Sequence, residues 1–285
     1  MAKPKGREFR PLFEQKRLKP IHILEFQHLV WQYYREHGRS FPWRETTDPY
    51  QILVSEIMLQ QTQTSRVEKK YYEFLSAFPD FFTLASASLR EVLQVWQGLG
   101  YNRRALALQQ TAQRVATRFD GQLPDNPAVL QQFPGIGQYT AAAVAAIAFN
   151  KPTVFVETNI RTVFLHHFFE NPEKIADRAI LVLVKATLDI RNPREWYYAL
   201  FDYGAMLKRQ RKVIPRFGER RQSHFRGSNR EIRGQIVQLL LTHDSVTTRE
   251  LVKFLNQNSE RVRQILVQLQ NEGLIETAND LIHIR

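Results

Sequence analysis

Two carboxylates in this chain have surroundings that ordinary surface acids lack. Glu157 closes the run Val154-Phe155-Val156 within PTVFVETNIRTVF, residues 152–164, and Glu56 sits in QILVSEIML among Leu53, Ile57 and Leu59. An apolar approach to a charged group either caps a helix with it or puts it to use. Thr158 and Asn159 are better capping residues than glutamate. The spacing therefore predicts that Glu157 is held for chemistry, kept ionised by the positive end of the helix NIRTVFLHHFF. A third signal is FPGIGQYTA, residues 133–141, where Pro134, Gly135 and Gly137 lie between two helical patterns. Glycines there allow positive φ and close backbone approach, so that amides can point at a nucleic-acid phosphate. A plain two-glycine helix turn is the alternative.

The elements that must position these residues read as helices. ILEFQHLVWQYYREHG, YQILVSEIMLQQTQTSRVEKKYYEFLSAF, SLREVLQVWQGLG, RRALALQQTAQRVATRF, YTAAAVAAIAF and DRAILVLVKATLDI all carry apolar residues at i, i+3, i+4 spacing. No Gly-rich loop follows a strand, and strands do not alternate with helices, which excludes a dinucleotide-binding architecture. We divide the chain into a basic N-terminal extension (1–24), a mostly α body (25–207), a basic linker (208–228) and a C-terminal domain (229–285). In the last, three short helical patterns precede two short apolar strands around an Ala-Asn-Asp turn, the layout of a winged helix. Its third helix is expected to start near Ser259 and to present Arg261, Arg263 and Gln264 to a groove; protein contacts are the other use of such a domain.

The formal net charge is +12 and the isoelectric point about 10.0, which point to a polyanionic partner. Residues 208–233 hold ten Lys or Arg against two Glu, a phosphate-contacting segment that includes Arg209 and Arg211, or else a solvated linker. There is no cysteine, which removes disulfides, thiol nucleophiles and thiolate-held clusters. No run approaches the roughly 18 apolar residues of a membrane span, and the N-terminal residues lack a secretory apolar region. A cytoplasmic protein is expected, with no membrane partner.

Taken in order, FPW, DPYQILVSEIMLQQTQTSRV, WQGLGYNRRALAL, FPGIGQYTAAAVAAIAF, VETNIRTV and FDYGAML resemble the helix-hairpin-helix DNA glycosylase superfamily, closest to its adenine glycosylase (MutY) branch. The resemblance covers roughly residues 25–207. It implies a helix-hairpin-helix glycosylase fold and a monomer that acts on double-stranded DNA with a mispaired or damaged base, associated with the nucleoid.

The resemblance also implies roles. Glu56 matches the glutamate that protonates the leaving base and activates water, work for which an apolar pocket would raise its pKa. Glu157 matches the second carboxylate, which faces the cation developing on the sugar. It departs from the pattern, since the superfamily has aspartate there. Asn159 and Asp202 match polar groups around that carboxylate and the base pocket, and Arg39, Phe41, Trp43 and Arg44 match the pocket for the extruded base. Base extrusion leaves a gap to fill; Gln61 and Tyr101 match the inserting residues, with Gln60 and Thr62 beside them. Tyr139 stands where the glycosylase-lyases of the endonuclease III type carry a nucleophilic lysine. Hydrolysis without strand cutting follows from that.

Two further departures bear on cofactor and substrate. The family usually places four cysteines after FDYGAML to hold an iron–sulfur cluster; here Lys208 follows Leu207 and no cysteine exists. No cofactor is therefore expected, beyond room for a monovalent cation at the hairpin. The adenine branch usually ends in a Nudix-like domain, whereas this chain has the winged-helix pattern. The reading is a monofunctional glycosylase for adenine opposite guanine or 8-oxoguanine. The alternatives are a thymine or uracil mismatch glycosylase and a non-catalytic DNA-lesion-binding regulator.

Overall fold

The computed structural model describes residues 19–169, 175–210 and 224–285, and the chain divides into two compact units. The division does not follow the sequence domains. Residues up to 52, 125–131 and 136–220 form the first unit; 53–124, 132–135 and 221–285 form the second. Most of the N-terminal extension and of the linker, Arg211 included, lies outside the described residues.

In the first unit, helix α1 (Pro20–His37) and a 3-10 turn (Pro42–Arg44) lead into α2 (Pro49–Leu59), whose later turns belong to the second unit. Helices α7 (Pro127–Leu130), α8 (Gln138–Phe149), α9 (Thr158–Phe168), α10 (Asp177–Thr187) and α11 (Pro193–Gln210) complete it. Helix α8 is apolar on every side, and Thr140 through Ala148 are all buried, as expected of a helix with no solvent face. It stops where Asn150 takes a left-handed conformation, φ 53°. Helix α11 packs on α1, α8 and α9. Phe26, Phe164, Phe168, Trp196, Tyr197 and Tyr203 are among the fully buried side chains. Each such aromatic contributes roughly 1.5–3 kcal/mol of burial, which anchors the segments between them.

In the second unit, α3 (Thr64–Ala77), α4 (Phe81–Ser86), α5 (Leu89–Trp96) and α6 (Arg103–Arg118) precede the C-terminal domain. Helix α5 opens with a capping box, in which Ser88 and Glu91 exchange side-chain to backbone hydrogen bonds, and buries Leu89, Val92, Leu93 and Trp96 on one face. The C-terminal domain is a winged helix: α12 (Asn229–Thr242), β1 (Val246–Thr247), α13 (Thr248–Leu255), α14 (Ser259–Asn271), β2 (Ile275–Ala278) and β3 (Leu281–Ile284). The third helix begins at Ser259 as expected, and the β2–β3 turn places Asn279 and Asp280 at φ 51° and 63°, the geometry of a tight hairpin. The short β1 was not expected. It pairs Val246 with Ile282, making a three-stranded antiparallel sheet in the order β1-β3-β2.

Charged side chains join this domain to α5 and α6. Arg90 donates to the carbonyls of Leu240 (2.7 Å) and Asp244 (3.2 Å) at the end of α12, where a cation is favoured by the helix dipole. Glu272 pairs with Arg233 and lies 3.9 Å from Arg103.

Candidate active site

Five of the expected residues come together in the first unit. Asp202, 1% exposed on α11, accepts from the Arg39 backbone N–H at 2.8 Å and from its Nε at 2.7 Å. Arg44 approaches the same carboxylate with Nη1 at 2.8 Å and Nη2 at 2.9 Å. Both guanidinium groups lie over the Phe41 ring, at 5.0 and 5.1 Å from its centroid, and Phe41 stacks on Trp43 with the rings 5° from parallel. A buried carboxylate between two arginines meets its desolvation cost only with such bidentate geometry. The cluster is a rigid, flat, polar-edged surface of the kind that can hold a planar heterocycle.

Glu157 corrects one expectation. It is itself the N-cap of α9: its backbone is extended (φ −119°, ψ 178°), and its Oε1 accepts from the Ile160 N–H at 2.7 Å. Thr158 and Asn159 are already helical residues, so neither takes the capping position. Capping and chemistry are compatible because a carboxylate has two oxygens and the cap engages Oε1. Burial pushes the Glu157 pKa above the usual carboxylate range, against the pull of the Asn159, Ile160 and Thr158 amides and of Lys208. Asn159 follows two residues on, and its backbone sits against Gly204 of α11. A Cβ at Gly204 would lie 2.2 Å from the Asn159 carbonyl oxygen, so only glycine lets the two helices approach here. Tyr139, half-buried in the first turn of α8, meets Phe155 edge-on at 5.6 Å, and Phe155 stacks on Tyr197 at 4.0 Å.

The second unit holds the other group. Glu56 is 7% exposed on α2, whose neighbours Leu53, Ile57 and Met58 are buried. Gln61 and Tyr101 both adopt left-handed backbone conformations, φ 55° and 49°, and both are exposed. For residues other than glycine this costs about 1 kcal/mol or more and persists only where surroundings impose it. Gln60 donates from Nε2 to the Gly135 carbonyl at 3.4 Å, and Thr111 to that of Pro134 at 3.2 Å, which ties down the hairpin segment 132–135. Gly135 has φ 73°, the positive value expected of it, and Gly137 is the N-cap of α8.

Sequence reasoning missed Arg104. It is 9% exposed, and its terminal nitrogens reach six oxygens. Nη1 donates to the carbonyls of Ile57, Met58 and Gln60, and Nη2 to those of Leu99 and Gly100 and to the Thr62 hydroxyl. The signal was present: Arg104 falls on the stripe of Leu108, Thr111 and Val115, a core position for an arginine. Gly204 had a signal too, a glycine inside a helical pattern beside Leu200, Tyr203 and Leu207. Of the groove-facing candidates, Arg263 is exposed. Arg261 instead donates within its own domain, to Asn229 Oδ1, Gln257 Oε1 and the Gly227 carbonyl. Arg209 is exposed at the end of α11.

Helices joined by a glycine hairpin, a carboxylate that caps a helix start and a buried glutamate on the helix that runs into a strained loop tip define a helix-hairpin-helix base-excision scaffold. Residues 54–185 match the family model described as HhH-GPD superfamily base excision DNA repair protein. The adenine DNA glycosylase of Mycolicibacterium smegmatis is 33% identical over 287 residues, covering 92% of this chain and 94% of the relative. That of Mycobacterium tuberculosis is 32% identical over 277 residues, 86% of this chain and 88% of the relative. The chain spans only 53% of a Buchnera aphidicola adenine DNA glycosylase that is 32% identical over 186 residues. Among solved structures, a thermostable thymine-DNA glycosylase superposes with a TM-score of 0.60 at 29% identity, over 68% of this chain and 88% of that one. An endonuclease III–DNA complex, at 18% identity and a TM-score of 0.54, shares the fold. The chain belongs to the HhH-GPD superfamily and is a DNA glycosylase of base excision repair, an enzyme that hydrolyses N-glycosidic bonds.

Proposed function

We propose that this glycosylase removes adenine mispaired with guanine or 8-oxoguanine in duplex DNA, by hydrolysis and without cutting the strand. The observation that carries the substrate is the 33% identity over 92% of this chain to a curated adenine DNA glycosylase. The uncovered 8% is about 23 of 285 residues, fewer than the 57 from 229 to 285, so the similarity reaches into the winged-helix region.

In this reading Glu56 protonates the leaving base and activates water, since an unprotonated purine leaves poorly. Glu157 faces the oxocarbenium-like sugar, with the α9 amides orienting its carboxylate. Gln61 and Tyr101 occupy the gap left by the extruded base, Arg39, Phe41, Trp43 and Arg44 hold that base, and Asp202 keeps the two arginines in place. Gln60 and Thr62 border the inserted turn, and Pro134, Gly135 and Gly137 approach a phosphate, with a monovalent cation as the one ion the hairpin would take. Arg209, Arg211 and Arg263 contact phosphates flanking the lesion. The chain works as a monomer on nucleoid DNA. It has no cysteine to ligate an iron–sulfur cluster.

A second reading, thymine or uracil opposite guanine, is favoured by the 29% identity to a thymine-DNA glycosylase. Single-turnover base release from duplexes carrying A·G, A·8-oxoguanine, T·G and U·G pairs separates the two. Fastest release of adenine is expected, and fastest release of a pyrimidine overturns the adenine reading. Borohydride should trap little covalent complex, because Tyr139 has no amine to form a Schiff base. Trapping that keeps pace with base release would show a lyase.

A further inference from the structure

We propose that Arg104 is the positioning residue that locks the two DNA-inserting loops to each other and to the helix carrying Glu56. The inference rests on the reading of Gln61 and Tyr101 as inserting residues. It goes beyond that reading because Arg104 reaches no substrate itself.

Three pieces of chain meet on one guanidinium. The Ile57 and Met58 carbonyls, at 2.9 and 2.8 Å, belong to the last turn of α2, directly after Glu56. The Gln60 carbonyl at 2.6 Å and the Thr62 hydroxyl at 3.0 Å flank Gln61. The Leu99 and Gly100 carbonyls, at 3.2 and 3.1 Å, precede Tyr101. The Gly100 carbonyl also accepts from the Trp96 indole at 3.1 Å, and the guanidinium lies 5.4 Å from the ring centroids of both Trp96 and Tyr101.

Every partner in this hydrogen-bond set is a neutral oxygen. Burial pushes the Arg104 pKa down to about 10, so the site holds its charge against a desolvation cost that no carboxylate among these partners offsets. A buried cation satisfied by carbonyls is a costly way to stabilise a core, and packing alone would be served by an apolar residue. The arrangement does something an apolar residue cannot, since it fixes the peptide planes that lead into two left-handed residues. Those conformations direct the Gln61 and Tyr101 side chains, and they relax unless the flanking carbonyls are held. Insertion into a duplex must work against base stacking, so tips that are already ordered do not lose that ordering free energy on binding. A lysine cannot substitute, because its ammonium is a compact point donor whereas the planar fork spans both loops.

The test uses the full chain with Arg104→Lys, which keeps charge and stem, and Arg104→Gln, which removes the buried charge. The probe is a duplex with 2-aminopurine in place of adenine opposite guanine, whose fluorescence rises when the base leaves the stack. The expected result is a tenfold or greater loss of single-turnover adenine release from an A·G duplex and of the 2-aminopurine rise. Circular dichroism and affinity for fully paired duplex should be unchanged. Combined with Tyr101→Ala, Arg104→Lys should lose clearly less than the product of the two single losses, because part of its action runs through that loop. A normal fluorescence rise in either folded variant overturns the proposal, as do independent, multiplicative losses in the double variant. Failure of both variants to fold overturns it too, since Arg104 would then serve stability alone. Tyr101→Ala by itself tests the underlying reading: a full fluorescence rise in that variant removes the inserting role from Tyr101, whatever Arg104 does.

Discussion

The two units bury charge in opposite ways. In the first, arginines Arg39 and Arg44 close on the carboxylate of Asp202, and a second acid, Glu157, is seated on helix amides. In the second, Arg104 is surrounded by carbonyls and one hydroxyl. A charge pair fixes two side chains relative to each other, while a cation on carbonyls fixes backbone. The difference lies in what each unit holds still: flat aromatic and guanidinium side chains in the first, and the peptide planes leading into two exposed loop tips in the second.

The largest effect expected in the first unit is on chemistry. Glu157→Gln keeps an oxygen to accept from Ile160, yet lacks the charge that meets the developing cation. Single-turnover excision should fall about 1,000-fold, some 4 kcal/mol, with duplex affinity retained. An unchanged rate would remove Glu157 from the mechanism.

Next comes the charge pair. Asp202→Ala leaves two buried or half-buried guanidinium groups without their partner and should cost about 3 kcal/mol or more in urea unfolding. A cost below 1 kcal/mol would mean that water reaches the arginines, and the contrast between the units would lose its force.

Gly204→Ala should come third. The added methyl forces the Asn159 backbone away and moves the start of α9, and displacement on that scale lowers excision roughly 100-fold. Equal losses in stability and rate would instead point to general disruption.

Arg90 offers a milder version of the guanidinium-on-carbonyl device, since it joins α5 to the end of α12. Arg90→Ala should destabilise by about 1.5 kcal/mol, read by increased proteolysis of the winged-helix domain.

The smallest effect is a pH dependence. Because the folded-state pKa of Glu157 lies above its unfolded value, the folded chain holds that proton more tightly. Its contribution to stability is present below the ordinary carboxylate range and is lost as pH rises through the folded value. At neutral pH Glu157→Gln should therefore be more stable than the unaltered chain, with the advantage vanishing in acid. A thermal melt at pH 4 and pH 7 checks it. Stabilisation together with loss of excision would identify Glu157 as a group retained for chemistry rather than for fold.

Much of the architecture was legible because it depends on local pattern. Helical periodicity placed α14 at Ser259, the Asn279-Asp280 turn placed the wing, and Gly135 took the positive φ expected in the hairpin. The types and spacing of Arg39, Phe41, Trp43, Arg44 and Asp202 were readable only through the family resemblance, since 163 residues separate Arg39 from Asp202.

By itself the sequence determined the mostly helical fold, the C-terminal winged-helix pattern and the impossibility of a cysteine-held cluster. Each follows from residue identity or short-range periodicity, which need no knowledge of what lies across the fold. Only the tertiary structure decided that Glu157 caps α9, that Gly204 is required by the Asn159 backbone, and that Arg261 is engaged within its own domain. It also decided which carbonyls meet Arg104, whose core position the helical stripe had already marked. These outcomes depend on which backbone carbonyls and amides converge on a side chain. Such groups are identical at almost every residue, so no sequence pattern distinguishes the ones that a side chain will meet.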